Sequence, residues 1–108
     1  MSHKPKSVRE IYLDSLNVNL RTLAKQLDEQ GVRDLQIKEI SQSISGLYGN
    51  AMEKIAEATE ADMMAIENAP SPLELFIECI SKLMAVKTLD PLAISLLQGY
   101  VSTMQEWM

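Results

Sequence analysis

Leu13, Leu16, Leu20, Leu23 and Leu27 recur at alternating gaps of three and four. That spacing lays one apolar seam along a helix, as in a coiled coil. Ser7 and Glu10 stand where a capping box opens such a helix. Gly31 stands where a left-handed residue closes it, with Val32 placed to fold back on Leu27. A second stripe follows: Ile37, Ile40, Ile44, Leu47, Tyr48, Met52, Ile55, Met63 and Ile66. It predicts a long helix over 34–68. Ile44, Ile55 and Ile66 fall eleven apart, so the phase holds across the segment. Gly46 and Gly49 interrupt it, each at about 1 kcal/mol against alanine in a helix interior. Either they break the helix or they admit a close backbone neighbour. The unbroken phase favours a continuous helix.

Ala69-Pro70-Ser71-Pro72 separates the next element. Ser71 is placed as a cap, Pro72 as the first helical residue and Glu74 as the third, which is a second capping box. Beyond it Leu73, Leu75, Phe76, Ile77, Cys79, Ile80, Leu83, Met84 and Val86 cover nearly the whole circumference. Only Glu74, Glu78 and Ser81 line up as a narrow polar face, and a helix of that kind is central. Asp90 is placed to cap a last helix, with Leu89 stapled onto Ile94. The stretch 91–105 carries no charged side chain at all, so most of its surface needs cover from the fold or from a partner.

These patterns predict an all-α fold: a four-helix bundle, mostly antiparallel, with one long helix (about 34–68) and two short C-terminal helices. Residues 1–6, without periodicity, read as a flexible lead-in to a single domain over 7–108. The long helix would span roughly 50 Å and each of the last two roughly 25 Å. One short pair cannot cover it, and a homodimer supplies the simplest cover.

Composition narrows the chemistry. The 108 residues allow one core. With few aromatics, aliphatic residues and methionine must fill it. Met52, Met63, Met64, Met84, Met104 and Met108 suit irregular gaps and adaptable binding surfaces alike. The single cysteine, Cys79, excludes an intrachain disulfide and fits a cytoplasmic setting. Lys4, Lys6 and Arg9 are followed by no apolar run of signal-peptide type. The best apolar stretch falls short of a membrane span, so no membrane partner is expected. Up to Lys38 the chain has seven basic and five acidic residues, and from Glu39 three and ten. Oppositely charged helices that pair internally explain this split. A basic N-terminal arm reaching an acidic partner is the sharper alternative.

Glu53, Glu57, Glu60 and Glu67 lie near one face of the long helix. Bundle metal sites, however, combine glutamates with an inward Glu-x-x-His spacing. The only histidine is His3, in the lead-in, so a solvated acidic face is expected and no metal or cofactor. Without a histidine on a folded element, Cys79 and the serines lack the usual activating base. The glycines form no phosphate loop. Nothing here supports an enzyme.

Residues 37–55 suggest a helix-turn-helix faintly, with its turn at Ser45-Gly46. Its reading helix would offer Lys54 beside Glu53 and Glu57, a poor phosphate surface, so nucleic acid is not expected. Tyr100, Val101, Met104, Trp107 and Met108 continue helical spacing to the end of the chain and form the candidate partner-binding surface. The function implied is a small non-enzymatic regulator, adaptor or inhibitor acting through helix-mediated contacts with itself and with another protein. A helix-turn-helix DNA-binding regulator is the alternative.

Overall fold

The computed structural model describes residues 7–107. The lead-in over 1–6 and Met108 lie outside the described residues. Among those described, the chain forms α1 (Val8–Glu29), α2 (Asp34–Ala61), a single turn α3 (Ala65–Asn68), α4 (Pro72–Val86) and α5 (Pro91–Glu106), with no strand. It is an all-α bundle.

Local chemistry sets most boundaries. The Ser7 hydroxyl accepts from the Glu10 amide at 3.2 Å and starts α1. At its end Gly31 adopts φ 93°, Val32 N–H donates to the Leu27 carbonyl and Gly31 N–H to that of Asp28. Those two bonds are a Schellman ending. Both halves of the Ser71–Glu74 capping box are present. Asp90 does not cap α5 with its side chain, contrary to expectation. Its carboxylate instead takes the Arg33 guanidinium at 2.9 Å. Its amide donates to Oε1 of the buried Gln36, also at 2.9 Å.

The long helix is shorter than its stripe predicts. α2 is continuous through Gly46 and Gly49, and a Cβ at either would meet nothing within 4 Å. Neither glycine serves a close approach. The helix stops at Ala61, because Asp62 turns extended and its carboxylate accepts from the Met64 amide at 3.0 Å. An aspartate side chain offers the backbone this alternative to helix, a signal that apolar phase alone does not carry. Met63 and Ile66, expected on the buried stripe, are consequently exposed, and Glu67 lies on α3 rather than α2. The bundle thus has a fifth, one-turn element where a single helix was expected over 34–68.

The pairings fix the directions. Arg9 meets Glu53 and Glu60, so α1 and α2 are antiparallel. Lys87 approaches Glu39 at 3.9 Å, which sets α4 antiparallel to α2. The Phe76 and Tyr100 rings stand edge to face with centroids 6.0 Å apart, so α5 returns antiparallel to α4. α4 touches α1, α2 and α5, and Phe76, Ile80 and Leu83 are fully buried. Val86, at its end, is exposed instead. On α1 the buried seam is Tyr12, Leu16, Leu23 and Leu27, with Leu20 only partly covered. Leu13, expected in the seam, is 40% exposed. A straight helix drifts from a 3.5-residue repeat, and at this end Tyr12 faces inward.

Truncating Leu27 to alanine is expected to cost about 2–5 kcal/mol, the usual loss for a fully buried leucine. Leu20→Ala is expected to cost roughly half as much, because less of its surface leaves water. Urea titration of both variants checks the order.

Candidate functional site

The acidic face of α2 is largely answered from within. Arg9 on α1 donates from Nε to both Glu53 oxygens at 3.1 Å and from a terminal nitrogen to Glu60 at 2.7 Å. Glu53 first, then Glu60, raises the guanidinium pKa still further above its ordinary value. The pairs are exposed, so they add little stability, but they account for the complementary charge of the first helix and the second. Among the described residues no three His, Cys, Asp or Glu side chains stand together as a metal site.

Three phenols and the thiol sit inside. The Tyr12 hydroxyl donates to the Pro70 carbonyl, and the Tyr48 hydroxyl donates to the Tyr12 carbonyl at 2.6 Å. Together they tie α1 to α2 and to the start of α4. Tyr100 is 5% exposed, and among the described residues its hydroxyl has no partner. Cys79 is buried on α4, where burial pushes the thiol up to about 11, with Lys82 opposing and Glu78 assisting.

Of the residues expected to form a partner surface, Tyr100 is inside the core and Val101 and Met104 are half-buried against it. Trp107 is 80% exposed at the end of α5, and Met108 lies outside the described residues. They do not make one open face. The outer side of α5 presents Ser95, Gln98 and Ser102, with Leu92 the exposed apolar residue at its start. α5 packs chiefly on α4. Between it and the second half of α1 a groove of about 440 Å³ remains, with Leu23 and Leu27 on one side and Leu96, Tyr100 and Met104 on the other.

A second apolar surface was hidden in the predicted long helix. Met63 is 82% exposed and Met64 60%, with Ile66 exposed beside them. Met64 borders a cleft of about 420 Å³ that Lys54, Ile55, Ala58 and Asp62 also line. The signal that could have revealed it was Asp62, followed directly by two methionines. The antiparallel pairs place the end of α2, α3, the start of α4 and the end of α5 at the same end of the bundle. Trp107, seven residues beyond Tyr100, is therefore roughly 10 Å further toward that end.

No family model, no curated protein and no solved structure matches the chain.

The buried phenols and thiol predict alkaline instability. Burial raises the pKa of Tyr48, with lesser contributions from Tyr12 and Cys79. Burial likewise raises Tyr12, with Glu74 adding to it, and Tyr100. Each group holds its proton more tightly folded than unfolded. Their contribution is complete below the unfolded values, about 8.5 for a thiol and about 10 for a phenol, and is lost as pH climbs through the native values. The melting temperature is expected to fall above about pH 9, and Tyr48→Phe should make that fall shallower. In the same native protein Cys79 is expected to react slowly with a thiol reagent at neutral pH and fast in urea.

Proposed function

We propose that the chain is a small non-enzymatic regulator, adaptor or inhibitor that works through helix-mediated contacts with another protein. The observation that carries this reading is the exposure of Met63, Met64 and Ile66 side by side around the α3 turn, with Trp107 exposed at the end of α5 toward the same end of the bundle. Large apolar side chains grouped on a surface mark interaction sites, and methionine adapts its shape to a docking helix. Glu57, Asp62 and Glu67 surround the methionines in sequence, and Lys54 lines the cleft that Met64 borders. A basic amphipathic helix is the partner that this combination fits. The buried lone thiol is compatible with a reducing, cytoplasmic setting.

Self-association belongs to the same reading. The outer side of α5 is uncharged over 91–105, and charge depletion is the compositional mark of an interface core. The helix-turn-helix alternative draws no support from residues 37–55, which lie within the uninterrupted α2.

A variant carrying both Met63→Glu and Met64→Glu tests the partner surface. Both side chains face water, so its melting temperature is expected to stay within about two degrees of the parent. Immobilised parent protein should retain from host lysate a protein that the double variant releases. Equal retention by both removes the methionine surface from the proposal. Sedimentation at micromolar concentration is expected to return a dimer mass, and a monomer mass at high concentration removes the self-association.

A further inference from the structure

We propose that the cleft between α2 and α4 binds one fatty-acid-like amphiphile, its carboxylate at Lys54 and Lys82 and its alkyl chain running toward α3. From Glu39 onward the chain has three basic residues, Lys54, Lys82 and Lys87, against ten acidic ones. Lys87 approaches Glu39. The other two line a single cleft of about 410 Å³, Lys54 from α2 and Lys82 from α4. Among the described residues neither belongs to an ion pair. In so acidic a stretch, two unpaired cations that converge on one cleft form a local seat for an anion. Asn50 lines the same part and adds amide donors. Glu78 shares the α4 wall, so this part carries two cations against one anion.

The cleft has a cationic end and an apolar end. α2 and α4 are antiparallel, so Lys82 stands toward Leu47, and Leu75 toward Ile55. The cleft that Met64 borders, of about 420 Å³, shares Lys54 and Ile55 with this one, so the two join into one channel. Beyond Ile55 that channel is lined by Ala58, Met64, Ala65 and Ala69, with Asp62 where α2 ends. An alkyl chain gains by leaving water along these walls. Asp62 repels a carboxylate, so the amphiphile enters in one direction, head to the lysines. A neutral apolar ligand would leave both lysines without a counter-charge. A free inorganic anion would leave the apolar walls wet. An amphiphile answers both, and the volume lies within the range of small-molecule sites.

cis-Parinaric acid, a long-chain polyene carboxylate that fluoresces in apolar surroundings, is the probe, kept below its micellar concentration. Titration into the full chain is expected to saturate at one molecule per chain, and the methyl ester of the same acid should bind about tenfold more weakly. Lys54, Ala58, Glu78 and Lys82 are all exposed, so substitutions there should leave the helical circular dichroism unchanged. A variant carrying both Lys54→Gln and Lys82→Gln should weaken binding of the acid about twentyfold, roughly fivefold for each exposed charge, and leave the ester unaffected. Glu78→Gln removes the opposing charge and should strengthen binding of the acid about threefold. Ala58→Asp places a charge beside the alkyl chain and should weaken the acid and the ester alike. Absence of saturable binding, an ester bound as tightly as the acid, or a lysine double variant with the parent's affinity overturns the proposal. Binding of many molecules per chain overturns it too, since the probe has then clustered on the surface. An affinity that Ala58→Asp does not change overturns the path of the alkyl chain. None of these outcomes depends on a protein partner, so their failure and that of the methionine docking surface are read separately.

Discussion

α4 is apolar around almost its whole circumference, and the rest of the molecule is arranged to cover it. Leu75, Phe76, Ile77, Cys79, Ile80 and Leu83 are all buried, on every side except the one marked by Glu74, Glu78 and Ser81. A lone helix of this composition would expose the surface whose burial drives folding. Three neighbours are needed to close it, and α1, α2 and α5 are those neighbours. The order of the helices follows: a long antiparallel pair forms a trough, α4 lies in it, and α5 closes the remaining side. Because α5 serves mainly as the lid of α4, it meets α1 only loosely, and the groove between them is a consequence of that geometry.

A core with few aromatics places unusual weight on its tyrosines. Tyr12 and Tyr48, whose rings are tilted with centroids 6.2 Å apart, span the joint between α1, α2 and the start of α4. Each hydroxyl ends on a backbone carbonyl. Such bonds add modestly to stability but would be costly to leave unmade. They also set the relative height of the helices, since a shift by one turn would strand both donors. Tyr100 repeats the buried ring against Phe76, but among the described residues its hydroxyl has no partner. That contrast within one core is what sets the α5 side of the molecule apart.

Charge acts at the ends of the helices. Arg9 joins the start of α1 to the second half of α2, Arg33 joins the start of α2 to the cap of α5, and Lys87 approaches Glu39. All are exposed, so their energies are small. Their placement nevertheless agrees with the antiparallel order that the apolar core demands. Arg9 and Arg33 thereby join the basic first third of the chain to its acidic remainder, and Asp62 and Glu67 lie beside the exposed methionines.

The sequence by itself determined the helical class, the ends of α1, the capping box of α4 and the centrality of α4. Heptad-like leucines, Ser-Pro-x-Glu at the α4 start and Gly31 at the α1 end are local signals whose physics acts within a few residues. It also determined that Cys79 would be shielded, since the circumference of α4 has almost no polar side. The candidate surface was legible only in part. Trp107 is exposed, but Tyr100 and Met104, read as available to a partner, are taken up by the fold. Which apolar residues remain uncovered depends on where neighbouring helices end, and helical spacing cannot report that. The exposed methionines were missed for a related reason: Asp62 ends α2 by a local side-chain bond that competes with an apolar phase running straight through it. The groove between α1 and α5 was decided by tertiary structure alone. It arises because α5 rests chiefly on α4, so that cover for its α1-facing side depends on contacts between residues distant in the chain.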